Sequence, residues 1–165
     1  MPAPVLVSTP QPQTINKKGE AIIHRLLALS AIAAIAVVGV SASAQQVVVY
    51  KAHLTAKDEV PPNASTGTGD GTFTLNPATK ELTWVVTFTG LSGPAAAAHI
   101  HGPAAPGANA GVVVPFDPPK APSGEIKGSK ALTDDQIADL KAGKYYANIH
   151  TEANKGGEIR GQLTP

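Results

Sequence analysis

The sequence predicts an all-β fold, a Greek-key-like antiparallel β-sandwich or barrel with one short helix, placed after an N-terminal signal peptide. Three observations lead there. Apolar and polar residues alternate with period two along segment after segment of the last two thirds of the chain. Glycine and proline, 16 and 15 of 165 residues, punctuate those segments at the spacing of turns. A single uncharged apolar run, Leu26 to Val40, stands apart near the start.

That run defines the leader, residues 1–44. An n-region reaching to Arg25 carries Lys17 and Lys18, the h-region spans 26–40, and Ser41-Ala-Ser-Ala44 offers an Ala-x-Ala cleavage site after Ala44. As a helix the run would measure about 22 Å, short of the roughly 30 Å of bilayer hydrocarbon. Membrane contact is therefore expected only through this segment, and only if it stays uncleaved. The expected domain is 45–165, secreted or periplasmic. The formal charge of the whole chain is +1, and the leader holds Lys17, Lys18 and Arg25 against Glu20, so the domain itself is near −1. Such a charge excludes a nucleic-acid partner. With no cysteine in the chain, disulfides, zinc ribbons, thiol nucleophiles and lipoprotein anchoring are excluded as well.

The first strand runs from Val47 to Ala56, with Val48, Tyr50, Ala52 and Leu54 on one face and Lys51, His53 and Thr55 on the other. Gly71–Leu75 and Glu81–Thr89 come next, joined by the turn cluster Asn76-Pro-Ala-Thr-Lys80. As a hairpin they would stack Phe73, Leu75, Leu82 and Trp84 into a core. Ala97–His101, Gly111–Val114, Glu125–Lys127, Tyr145–Thr151 and Glu158–Leu163 continue the pattern. Proline-dense Gly102–Gly107 and Pro115–Gly124 are expected as loops or sheet edges. Thr133-Asp-Asp-Gln136 is a capping box, Ile137 and Leu140 supply an apolar face, and Gly143 suits the end of a short helix. Gly124-Glu-Ile-Lys-Gly128 and Gly157-Glu-Ile-Arg-Gly161 are near copies, expected as strands with one inward isoleucine each. Arg160 beside Glu158 is expected to form a surface pair.

Chemistry concentrates in the histidines. In Ala98-His-Ile-His-Gly102 alternation puts His99 and His101 on the face opposite Ile100, and in Asn148-Ile-His-Thr151 it puts His150 opposite Ile149. Two residues on one strand face lie about 6.5–7 Å apart at Cα, close enough for their rings to converge on one ion. Paired strands would bring His150 in as a third ligand, and three neutral imidazoles suit copper or zinc. Glu152 and Glu158 are candidate oxygen ligands. The competing expectation is structural, with the rings bonded to nearby loop carbonyls. His53 is expected to be solvated alone, and His24 belongs to the leader. Other chemistry has little support. Ser65, Ser92, Ser123 and Ser129 sit in turn contexts without a Gly-x-Ser-x-Gly elbow. Asp58-Glu59 is expected as a charged loop mouth and Asp134-Asp135 as a helix start. No glycine-rich loop precedes the helix to cradle a phosphate.

Leu54-Thr-Ala-Lys-Asp-Glu-Val-Pro-Pro62 resembles the opening motif of the CHRD domain, the module named for its occurrence in chordin. Gly71 to Thr83 is similar to that family's second strand and turn, Ala97-Ala-His-Ile-His-Gly-Pro-Ala104 to its most specific motif, and Tyr146–Thr151 with Gly156–Leu163 to its closing pair. Ala56 departs from the pattern, where the family often has glycine. The resemblance spans about 50–164 and implies a secreted β-sandwich or barrel with no established reaction in bacterial members. His99, His101 and His150 fall on family motif positions. A looser likeness to copper/zinc superoxide dismutase rests on His99-Ile-His101 and the loop Gly107–Gly111, without that family's disulfide or its dinuclear histidine set.

The expected function is an exported, non-enzymatic CHRD module binding an unknown envelope or extracellular ligand. The alternative is mononuclear copper or zinc binding through His99, His101 and His150, with a dismutase-like oxidoreductase third. No cofactor is fixed by the sequence beyond these two candidate ions.

Overall fold

Residues 46–165 are described in the computed structural model, so the leader and its cleavage after Ala44 lie outside the described residues. Alternation of side chains sets the strands. In the strand Glu81–Thr89 every second side chain is buried and every other one exposed, matching the sequence pattern residue for residue. The strands are β1 (Val48–Thr55), β2 (Thr68–Asn76), β3 (Glu81–Thr89), β4 (Ala95–His101), β5 (Val112–Phe116), β6 (Gly124–Ala131), β7 (Tyr146–Thr151) and β8 (Ile159–Gln162). A 3-10 turn at Ala56–Asp58 succeeds β1, and one helix, α1 (Asp134–Lys141), precedes β7.

All eight strands join one antiparallel sheet in the order β5-β4-β7-β8-β1-β2-β3-β6. Its two edges, β5 and β6, approach each other, and Phe116 of β5 packs against Trp84 of β3 with ring centroids 4.8 Å apart. The sheet is therefore a nearly closed barrel. Around it β4, β5 and β6 are consecutive in sequence while β3 lies beside β6 and β7 beside β4, the return connections of a Greek key.

The β2–β3 hairpin has the anticipated register, with Phe73 opposite Trp84 and Leu75 opposite Leu82, all buried. Its turn is closed by Asn76 Oδ1, which accepts from the amides of Ala78 and Thr79. The capping box at Thr133 and Gln136 forms in both directions, and Gly143 takes the left-handed conformation just past α1. Several boundaries differ from expectation, among them the start of β2 at Thr68 rather than Gly71. Strand β5 runs to Phe116 rather than ending at Val114, and Pro115 within it lies on an edge strand, one of the two placements expected for it. Ser129, expected in a turn, lies within β6 opposite Thr83.

Candidate metal centre

The centre starts from the pairing of β4 with β7. His99 lies opposite Asn148, His101 opposite Tyr146, and Ala97 opposite His150. Ile100 and Ile149 are buried in the barrel, so the three imidazoles stand together on the other face of the sheet, each partly exposed. Their ring centroids are 5.0 Å apart for His99–His150, 5.2 Å for His99–His101 and 5.8 Å for His101–His150. Nδ1 of His99 is 3.1 Å from Nε2 of His150. One nitrogen from each ring falls within 4.8 Å of the others. A tetrahedral ion with bonds near 2.0 Å would set them about 3.3 Å apart, so the rings would have to close in to share one.

Two loops orient the rings. The loop after β4 turns back at Gly102, whose φ of 156° and contact with the Tyr145 ring leave no room for a side chain. Gly102 N–H donates to Gly111 O, and the returning Ala110 carbonyl accepts from His101 Nδ1 at 3.0 Å. His101 also stacks on Tyr146, centroids 5.1 Å apart and planes 7° from parallel. The Arg160 guanidinium lies over the Tyr146 ring, 3.4 Å from its centroid, and donates to Asn109 Oδ1 and Ala108 O. It thereby ties the same loop to β8. The second loop, 152–157, brings the Lys155 carbonyl to His150 Nδ1 at 3.0 Å.

That second loop hangs on Glu158. Its Oε1 accepts from Ser65 Oγ and Ser92 N, and its Oε2 from Ser92 Oγ, Thr151 Oγ1 and Asn154 Nδ2. Burial alone would raise this carboxyl, but the donors from Ser65, Ser92 and Thr151 outweigh it and hold Glu158 down at about 2.

The carbonyl bonds assign the tautomers. His101 and His150 each carry a proton on Nδ1, which leaves Nε2 bare. His101 Nε2 is buried and has no protein partner. Since His150 Nε2 is bare, the His99 Nδ1 proton bridges to it, and a cation could take that place only as His99 shifts its proton from Nδ1 to Nε2. Burial is the main cause lowering all three rings, and it takes His99 to about 4 with His150 and His101 adding to the effect. The rings are thus neutral donors near pH 7, the form a metal needs. The structural expectation is met at Nδ1 of His101 and of His150, each of which donates to a carbonyl, while Nε2 of His101 has no protein partner and Nε2 of His150 meets only His99.

Other sequence-predicted groups lie elsewhere. Glu152 is exposed and pairs with Lys155 at 3.4 Å, while Glu158 is enclosed by its own donors, so neither joins the cluster. His53 is exposed as expected but not alone, with Nδ1 2.8 Å from Asp70 Oδ1. The surface pair of Arg160 with Glu158 does not form. Both are buried, 2% and 0% exposed, and each has separate partners.

Sequence reasoning missed Glu59. Expected in a charged loop mouth, it is instead 5% exposed, and Asn148 Nδ2 donates to its Oε1 at 2.6 Å. Burial, helped by Asp58, pushes this carboxyl up to about 7 against the opposing pull of Arg160, the Val60 amide and Asn148. Gly157 admits the pair, since a Cβ there would strike both Asn148 Nδ2 and Glu59 Oε1. One available signal was the period-two relation of Tyr146, Asn148 and His150, which puts all three on one face.

A family model for the CHRD domain matches residues 50–163, and the chain belongs to that family. No curated protein and no solved structure matches the chain.

Proposed function

We propose that this CHRD domain is an exported module that holds one transition-metal ion, copper or zinc, through Nδ1 of His99 and Nε2 of His101 and His150. The convergence of three neutral ring nitrogens from two paired strands carries the reading. The bare, buried Nε2 of His101 supports it, because a buried acceptor without a donor is rare unless something else completes it. An all-nitrogen set with no carboxylate suits copper or zinc and disfavours calcium or magnesium, which take oxygen. Three protein ligands leave a fourth position for water or a small ligand. Export is supported by the leader pattern of residues 1–44 and by the family. The role is metal binding or handling, without a reaction.

Calorimetric titration with Cu(II) and Zn(II) tests this. One ion per chain is expected, with affinity lower by about a hundredfold or more in His150→Ala. A His150→Ala protein that binds as tightly as the parent removes the site.

A further inference from the structure

We propose that Glu59, acting through Asn148, is the counter-charge of the histidine centre: it is a carboxylic acid before a cation binds and releases its proton when one does. The assignment rests on the metal-binding reading above. Its basis is first geometric. Asn148 faces His99 across the strand pair and precedes His150 by two residues, so its side chain shares the sheet face of all three imidazoles. Its Nδ2 is committed to Glu59 Oε1. Its Oδ1 is buried and has no partner. Among the described residues three buried side-chain polar atoms lack one, and two of them, His101 Nε2 and Asn148 Oδ1, lie on this face. A nitrogen with a lone pair suits a metal ion, and an amide oxygen suits a proton on water bound to that ion.

The second basis is charge. Three neutral imidazoles bring no negative charge to offset a cation. Arg160, almost fully buried, already adds a positive charge, and its hydrogen bonds go to the neutral acceptors Asn109 Oδ1 and Ala108 O. A dication beside it is stabilised by a nearby anion. Glu59 is the carboxyl that feels Arg160 and touches Asn148. The other groups facing it are the Val60 amide, Asp58 next in the chain, whose Oδ2 accepts from Thr55, and Lys155 across a shared cleft. That cleft is about 260 Å³ and is lined by Glu59, Asn63, Lys155 and Gly157 among others, giving the proton a route to water. Burial holds the acid form near neutral pH, and an added positive charge favours the carboxylate. The exchange balances as one cation in and one proton out, with no change of oxidation state.

Zn(II) titrations of the full chain at pH 6, repeated in buffers of different ionisation enthalpy, count the protons released. About one more proton per zinc is expected from the parent than from Glu59→Gln at pH 6, the excess being that of Glu59 and falling towards none at pH 8. Glu59→Gln keeps the bond to Asn148, so any release it still shows at pH 6 comes from the imidazoles or bound water, and its zinc affinity at pH 8 should be lower by about tenfold. Zinc binding by the parent without proton release at pH 6 overturns the assignment even if the variant fails to fold, and so does equal release from both proteins. Absence of any zinc or copper binding overturns the metal reading instead, and the assignment with it.

Discussion

Residues 124–128 and 157–161 spell almost the same pentapeptide, Gly-Glu-Ile-Lys-Gly and Gly-Glu-Ile-Arg-Gly, and meet opposite surroundings. In both the central isoleucine, Ile126 or Ile159, points into the barrel and is buried. In the first, on edge strand β6, Glu125 and Lys127 are exposed and pair with each other at 2.7 Å. In the second, which leads into β8 between β7 and β1, Glu158 and Arg160 are buried and ignore each other. The pentapeptide dictates a strand and an inward isoleucine. What its charges meet is decided by distant chain: Ser65 and Ser92 for Glu158, and the loop with Ala108 and Asn109 for Arg160. An exposed pair is worth little, whereas buried charges need dedicated partners and cost much to strand.

Matched substitutions in the two copies test that difference. The largest effect is expected at Glu158. Glu158→Gln turns an amide NH2 toward a ring of donors and should cost about 3–5 kcal/mol by urea unfolding at pH 7, against less than about 1 kcal/mol for Glu125→Gln. Equal costs would erase the distinction between the copies.

Acid sharpens it. Glu158 is held at about 2, below the ordinary carboxylate value, so its contribution is complete above about pH 5 and is lost as pH falls through 4 towards 2. That contribution amounts to about 3 kcal/mol. Glu59, raised to about 7, has the opposite sign: the fold favours its acid form, and stability declines as pH rises from about 5 through 7. Stability against pH in Glu158→Gln should flatten between pH 5 and 2 while the Glu59 slope remains. A parental slope below pH 5 in that variant would contradict the role given to Glu158.

Arg160→Met should rank next, costing about 2–4 kcal/mol as Tyr146 loses its cover and the 102–111 loop its anchors. Faster amide hydrogen exchange at Asn109 and Ala110 would report the loop. Lys127→Met is the smallest expected change, within about 0.5 kcal/mol, because its partner is as well served by water. A larger loss would mean that the edge copy is not a solvated pair.

Legibility in the sequence divides along the same line. Strand β3 was readable to the residue because Leu82, Trp84, Val86 and Phe88 recur at every second position, and only Val85 puts an apolar residue on the outer face. The histidine trio was readable because Ile100 and Ile149 fix which way their neighbours turn, and only the pairing of β4 with β7 had to be supposed. The ends of β5 and β6 were not, since Pro115 fits a loop as well as a sheet edge and Ser129 looks like a turn residue when the edge position of β6 is unknown. Least visible were Glu59 and Arg160. Their burial comes from segments 56–63 and 102–111 closing over the outer sheet face, held in part by Asn109 Nδ2 on Val60 O, and no local pattern encodes a contact across 49 positions.

His101 and His150 are each aimed by a main-chain oxygen, that of Ala110 and that of Lys155. No point substitution can delete a peptide carbonyl. Both covering loops can therefore drift in sequence, changing charge, bulk and whatever they show to the outside, without turning either ring, provided the backbone keeps its course. Insertions and deletions are another matter, for they move the oxygen itself. Relatives of this protein should tolerate varied residues at 110 and 155 far more readily than a change in the number of residues around them.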